Sequence, residues 1–341
     1  MKAQRTQTET GHQKDLLHRI HTTYACELAA LNDVLHTTLE SVSPHVPEIA
    51  RYVIRSGGKR IRPTLSILAR HVFAPDEDRS EHLSYLAAGI ECIHTATLLH
   101  DDVVDDSTLR RGQPSAHTVW GNAFSVLVGD FLLARSFALV TRLDSLAIVK
   151  TLSVAAGYLA EGEVLQLSNH SNLTMSQDVY ITIIESKTAR LFAAALASGA
   201  MLMSAHAEQV EALSLYGRAL GVLFQLIDDS LDYLTPSDIL GKGQGDDFHE
   251  GKVTLPVLLA YQRATPQERA FWERIFCYKE QKPDDFITAL AYMQNHRVFD
   301  TIKGICARYA DTSKRLLANL PSGQARDYLY EMVDYCLFRE K

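Results

Sequence analysis

Two groups of aspartates are the residues in this chain best suited to chemistry. Asp101, Asp102, Asp105 and Asp106 follow directly on Leu98-Leu99-His100, and Gln225, Asp228, Asp229 and Asp232 repeat the arrangement further along. On a helix, Asp101 and Asp105 stand four residues apart, as do Asp228 and Asp232, so each pair shares a face. Like charges at that spacing repel, and a helix gains nothing from them alone. A hard divalent cation relieves the repulsion, and carboxylate oxygens suit magnesium. The plainer reading of one such cluster is a solvated acidic helix end, favoured at an N-terminus by the dipole. The second cluster resists it, because Leu220, Leu223, Phe224, Ile227 and Leu231 surround the acids. Carboxylates projecting toward a core are costly unless cations pair with them. Two such clusters facing each other would hold magnesium between them, and the ions would neutralise a diphosphate.

A diphosphate also needs donors. The run Gly57-Gly58-Lys59-Arg60-Ile61-Arg62-Pro63 gathers three cations at a helix start marked by proline. Backbone N–H groups and the dipole favour an anion there, and arginine offers phosphate a two-pronged fork. Arg110 and Arg111 follow the first cluster and are predicted within about two to three helical turns of it. Lys187 and Thr188 precede an apolar helix, and Lys242 and Lys252 flank a glycine-rich loop over residues 235–251. His94 lies seven residues before Asp101, about two turns back on the same face. A lone histidine on an apolar helix is ordinarily a satisfied core residue, so His94 counts only with its neighbours.

The elements that must position these groups read as helices. Ile49, Tyr52 and Val53, and Leu83, Leu86, Ala87 and Ile90, recur with helical period, and strand-like alternation is nearly absent. Pro47, Pro63, Pro114, Pro256 and Pro266 are read as helix starts. The pattern predicts an all-α chain of about ten or more helices, with residues 1–14 mobile and 15–341 forming a single domain. The 341 residues, 46% hydrophobic and 22% charged, can build a sizeable core. A net charge of -7 argues against a general nucleic-acid binder, which needs a basic face. The five cysteines are scattered without a CxxC pair, suggesting neither a disulfide framework nor a zinc site. The N-terminus lacks an apolar secretory core. The least polar long stretch, 191–205, is too short and too weakly apolar to span a bilayer. No stable membrane insertion is expected, and a soluble cytoplasmic protein is the default.

Together these motifs resemble the trans-isoprenyl diphosphate synthases. The resemblance runs from Gly58 to Pro63, through Leu99 to Asp105 with Arg110-Arg111-Gly112, and through Phe224 to Asp229 with Asp232. It includes Gly129-Asp130, Glu161-Gly162-Glu163, Lys187-Thr188 and Gly251-Lys252-Val253-Thr254-Leu255-Pro256. It covers roughly residues 50 to 260 in the family's order. Stretches 93–100 and 160–167 are most similar to octaprenyl diphosphate synthases. The resemblance implies a bundle of antiparallel helices around a deep central cavity, usually in a homodimer. It implies that Asp101, Asp105 and Asp228, with Asp102, Asp229 and Asp232, hold about two or three magnesium ions on an allylic diphosphate such as farnesyl diphosphate. Arg110, Lys187, Thr188, Gln225, Lys242 and Lys252 would grip that diphosphate. Lys59, Arg62, His94 and Arg111 would bind isopentenyl diphosphate. Ala96 and Thr97, small residues below Asp101, would leave the tunnel for the growing chain open and make the product long, near octaprenyl. Phe131, Phe137 and Val140 are candidates for its floor.

Two positions depart from the common pattern: Ser230 stands where an apolar residue is usual, and Phe248-His249 replaces Leu-Asn. Neither is an assigned ligand. A shorter-chain synthase is the nearest alternative. A terpene cyclase shares the acidic clusters but has no use for the basic set at Lys59 to Arg62. A di-iron bundle would need a second Glu-x-x-His on a core-facing helix to match Glu91 to His94, and the other one in the chain, Glu9 to His12, falls in the polar first 14 residues, which carry no periodic apolar face. An inactive regulatory subunit would be expected to have lost carboxylates, and both clusters are intact.

Overall fold

The computed structural model describes residues 16–73, 80–235 and 244–339. Residues 1–15, Lys242 and the middle of the 235–251 loop lie outside the described residues. Residues 16–23 are helical and lead into α1 (Ala25–Thr38), α2 (His45–Arg55), α3 (Ile61–Phe73) and the long α4 (Ser80–Val104). A small hairpin, β1 (Leu109–Arg110) with β2 (Gln113–Pro114), precedes α5 (Ala116–Trp120), α6 (Asn122–Val140) and α7 (Leu146–Ser168). Next, α8 (Gln177–Ile184) runs through a π turn (Glu185–Ala189) into α9 (Arg190–Leu202), and α10 (Ala207–Leu234) follows. The remainder is α11 (Asp246–His249), α12 (Leu255–Arg263), α13 (Pro266–Phe276), α14 (Asp285–Asn295), α15 (Val298–Leu317) and α16 (Gln324–Phe338).

The all-α expectation holds, with the hairpin as its exception. Leu109 pairs with Pro114 and Arg110 with Gln113 across a two-residue turn. Arg111 and Gly112 both have positive φ, 53° and 75°, as the tight hairpin turn that suits strand twist requires. Arg110 and Arg111 are therefore not on a helix, and Pro114 ends a strand instead of starting a helix. Its missing N–H costs nothing in so short an edge strand. Pro256 and Pro266 do open α12 and α13, the latter behind a capping box in which Glu268 N–H donates to Thr265 Oγ1 at 3.4 Å.

Helix α9 is the axis of the bundle. Leu191 to Ala200 are all buried, and α3, α4, α7 and α10 pack around the helix. Five alanines over 193–200 and Gly199 let those neighbours approach closely, so the Ala-rich stretch is a core helix. The segments of the described chain long and apolar enough to cross a membrane lie elsewhere, at Asn122–Leu143 and Ala207–Leu234, with mean hydropathies of 1.8 and 1.3. Both belong to the bundle: α6 packs along α4, and α10 lies between α9 and α15.

Helix α4 has three working faces. Leu86, Ile90 and Ile93 point into the main core with α3 and α9. Ala88, Cys92, Ala96 and Leu99 point into a second apolar cluster with Val53 of α2 and Val128 and Leu132 of α6. His94, Thr97, Leu98 and Asp101 follow a third stripe, which lines a cavity.

Candidate active site

Both acidic clusters lie at the C-terminal ends of long helices. Asp101 and Asp102 are in the last turn of α4, and Asp228, Asp229 and Asp232 are in the last two turns of α10. The partial negative charge of a helix C-terminus repels carboxylates. The solvated N-terminal alternative thus fails on polarity, and these acids need other cations or donors.

The two helix ends meet at a cavity of about 420 Å³ lined by Asp101, Arg110, Lys187, Gln225, Asp228 and Asp229, among others. Lys187 and Thr188 are presented by the π turn, an irregularity frequent at functional sites. Thr188 Oγ1 donates to Gln225 Oε1 at 2.9 Å, and Gln225 Nε2 donates to Asp229 Oδ1 at 2.7 Å. Lys187 Nζ donates to Gln166 Oε1 at 2.9 Å and pairs with Glu163. Gly162 permits this approach, because a Cβ there would stand 2.7 Å from Ser186 Cβ and 3.0 Å from the Lys187 backbone nitrogen. Lys252 reaches across the mouth to Asp105 Oδ2 at 2.7 Å. Burial works against its charge, but Asp105, Asp247 and Glu250 more than offset that and hold the ammonium well above the ordinary lysine range.

A second cavity of about 610 Å³ adjoins the first and is lined by Lys59, Arg60, Arg62, His94, Arg111 and Arg339, among others. Arg62, His94, Arg111, Phe224 and Asp228 line both cavities and form the wall between them. Arg62 Nη1 lies 3.2 Å from His94 Nε2. Burial pushes the His94 imidazole well below its ordinary range, and Arg62 and Arg111 push it further, so the ring is neutral and Nε2 accepts from Arg62. Arg60 of the same motif instead pairs with Glu91. Glu91 of the Glu-x-x-His is thereby spoken for.

Ten of the expected diphosphate ligands and aspartates line one of these cavities together: Lys59, Arg62, His94, Asp101, Arg110, Arg111, Lys187, Thr188, Gln225 and Lys252. Asp228 and Asp229 join them. Asp102, Asp105 and Asp232 line neither. Asp102 accepts from Arg110 Nε at 2.6 Å, Asp105 pairs with Lys252, and Asp232 Oδ2 accepts from the Asp247 backbone N–H at 3.1 Å. Among the described residues no group of three His, Cys, Asp or Glu is gathered as a ready-made metal site. Buried carboxylates must find cations, and side chains of the chain itself take that role here. Thr97 lines the main cavity, but Ala96 does not: it is 2% exposed and packs in the α2–α4–α6 cluster. One residue along a helix turns a side chain by about 100°, enough to move it from cavity to core. Val140 is fully buried in the main core, and Phe131 and Phe137 line neither cavity.

Sequence reasoning missed several contributors. Arg339, near the C-terminus, pairs with Asp228 Oδ1 at 2.7 Å and lies 3.6 Å from the centroid of the Phe224 ring. Tyr180 donates to Asp229 Oδ2 at 2.6 Å. Nothing in the local pattern marks Arg339, whereas Glu163 and Gln166 fall on one α7 face at i, i+3 and were legible. The unusual residues prove structural. Phe248 is fully buried against Phe276 and Phe286, and Ser230 satisfies its hydroxyl on Leu226 C=O at 2.8 Å.

A helical bundle whose cavity sets carboxylates against a ring of cations, beside a second cation-rich cavity, is a site suited to phosphorylated ligands. Residues 43–293 match the polyprenyl synthetase family model. The octaprenyl diphosphate synthase of Escherichia coli K12 is 44% identical over 74% of this chain and 77% of its own. A polyprenyl synthase from Caulobacter crescentus, solved with calcium and isoprenyl diphosphate, superimposes with a TM-score of 0.91 at 43% identity, covering 95% of this chain and 98% of that one. A decaprenyl diphosphate synthase from Rhodobacter capsulatus gives 0.89 at 41%, covering 94% and 98%. The chain belongs to the polyprenyl synthetase family. It is a prenyltransferase of the trans-prenyl chain-elongating kind, on the all-α isoprenoid synthase fold.

Proposed function

We propose that this enzyme condenses isopentenyl diphosphate onto an allylic diphosphate, such as farnesyl diphosphate, to give a product near octaprenyl in length. The observation that carries the reading is the pair of adjoining cavities: one combines several carboxylates with cations, the other is richer in cations, with Glu91 paired to Arg60 and Asp228 to Arg339, and Arg62, His94 and Arg111 stand between them. The first suits a diphosphate that must leave with metal, and the second suits a diphosphate that must stay.

The donor set fits a hard divalent cation. Among the described residues Asp101 has no hydrogen-bond or ion-pair partner for its side chain, and burial pushes its carboxyl up to about 7 while Lys187 pulls it back. Asp102 Oδ2 is buried with no partner. Such oxygens gain most from an added cation. Asp101 and Asp228, with Asp102 and Asp105, would hold about two or three magnesium ions, which when bound would supply the positive charge that a departing pyrophosphate needs.

The chain's own residues supply the rest. Lys187, Arg110, Thr188 and Gln225 grip the allylic diphosphate and follow the charge that develops on it. Lys59, Arg62 and Arg111 anchor isopentenyl diphosphate, and neutral His94 orients its headgroup. The alkene attacks the allylic cation, a C–C bond forms, and loss of a proton restores a double bond. Val253 and Thr254 line the cavity beside Lys252 and keep water from the cation.

A homodimer in the cytoplasm completes the reading. Phe124 and Leu127 of α6 and Val154 and Val164 of α7 are large exposed apolar residues on adjacent helices, a surface suited to a second copy. All five cysteines are free and two are exposed, in keeping with a reducing compartment. The test is mass analysis of products made from farnesyl and isopentenyl diphosphates with magnesium. A single long prenyl diphosphate is expected from the wild type, and a shorter one from Thr97→Phe, which puts an aromatic ring on the cavity wall. A wild type that stops at the geranylgeranyl length would refute the long-chain reading.

A further inference from the structure

We infer that Tyr180 is a positioning residue for the allylic diphosphate: by fixing Asp229, it sets which end of the Gln225 amide faces the substrate. The inference rests on the proposed role of the main cavity. Tyr180 lies in α8, whose start is fixed by the Ser176 cap accepting from the Val179 N–H at 3.2 Å. The side chain is 2% exposed, and its hydroxyl donates to Asp229 Oδ2 at 2.6 Å. The other oxygen of Asp229 takes Gln225 Nε2 at 2.7 Å, and Gln225 Oε1 takes the Thr188 hydroxyl at 2.9 Å. Three elements, α8, α10 and the π turn, thus close one hydrogen-bonded chain.

Counting donors gives the chain its direction. A glutamine amide has two N–H groups and one oxygen. One N–H is spent on Asp229 and the oxygen on Thr188, so the second N–H is left on a residue that lines the cavity. Turning the amide over would set its oxygen against the Asp229 carboxylate and its NH₂ against a hydroxyl now forced to accept. Asp229 therefore decides the amide's orientation, and Tyr180 decides where the Asp229 carboxylate sits. Neighbouring Asp102, Asp105 and Asp228 are held by cations, whereas both oxygens of Asp229 are held by neutral donors. That makes Asp229 a fixed support in contact with a substrate ligand. Without the phenol oxygen, Asp229 Oδ2 has no donor, the carboxylate turns, and the amide is free to turn with it.

Tyr180→Phe removes one hydroxyl and conserves the packing volume. Farnesyl diphosphate binding would be measured by calorimetry with magnesium and without isopentenyl diphosphate. The expected result is a dissociation constant raised about tenfold, the scale of one bond to a charged group, with isopentenyl diphosphate binding unchanged. In a Gln225→Ala background the same Tyr180→Phe change should have no further effect, because its route to the substrate is gone. Unchanged farnesyl diphosphate binding in Tyr180→Phe would overturn the inference. So would a full tenfold loss persisting in the Gln225→Ala background, or equal weakening of both substrates with a lowered melting temperature, which marks a merely structural role. A wild type that fails to bind farnesyl diphosphate would remove the proposed function and this inference together. Wild-type binding matched by Tyr180→Phe removes only the inference.

Discussion

The two acidic clusters share one sequence pattern and one helix polarity, yet they are held in different ways. In the first, Asp102 and Asp105 are neutralised by Arg110 and Lys252, side chains from a hairpin and a loop. In the second, Asp229 is held by Tyr180 and Gln225, and Asp232 accepts a backbone N–H from Asp247. Asp228 is paired with a cation, Arg339, and its side chain is 40% exposed toward the cavities. Cations on flexible stems can be exchanged for a metal at modest cost, because one positive charge replaces another. Neutral donors built into packed helices cannot be exchanged without leaving a buried oxygen bare. The first cluster is thus built to change partners, and the second to stay fixed around one presented carboxylate.

The largest effect expected from breaking this contrast is loss of turnover by about a thousandfold or more in Asp101→Ala or Asp228→Ala, the two cavity carboxylates proposed to meet metal. Incorporation of labelled isopentenyl diphosphate measures it, with circular dichroism to verify helix content. Near-normal turnover in either variant would sink the two-cluster reading. Next in size, Arg62→Ala should weaken isopentenyl diphosphate, and Lys187→Ala the allylic substrate, by roughly 1.5–3 kcal/mol each. Separate Michaelis constants report it, and equal losses on both substrates in both variants would erase the division into two cavities.

A pH effect follows from burial. Asp101 and Asp229 are each raised from 3.8 to about 7, chiefly by burial. Ionising them in the folded, metal-free protein therefore costs stability. That cost is absent below about pH 4, grows through the window up to about pH 7, and is complete above it. Metal-free protein should lose melting temperature across that window. Magnesium meets a carboxylate only after its proton leaves, so its affinity should rise roughly tenfold per pH unit and level off above about 7. Calorimetric titrations at about pH 5.5, 6.5 and 8 test this, and an affinity flat across them would show that Asp101 is not a ligand. The smallest effect is expected at Asp232. Asp232→Asn keeps an acceptor for the Asp247 N–H and should cost no more than about fivefold in turnover, roughly 1 kcal/mol. A loss as large as that of Asp228→Ala would show that Asp232 meets metal directly, and the contrast between clusters would fall.

The sequence alone determined the chemistry and the kind of fold. Helical periodicity, paired aspartates and the spacing of Lys59, Arg62, Lys187 and Gln225 were local signals, each readable within a few turns, and the structure gathers them around two cavities. What it could not determine were relations between elements far apart in the chain. The hairpin that carries Arg110 and Arg111 hid behind a helical expectation, because two residues per strand are too few to show alternation. Thr97 faces the cavity while Ala96 faces α6, since α4 packs against three neighbours and any of its faces could have been the wet one. Lys252 meets Asp105 across 147 positions, and Arg339 meets Asp228 only after α16 has docked beside α10. Residue type and helical spacing decide what a side chain can do, but a buried charge takes whichever partner the packing brings within reach, and packing is a property of the whole chain.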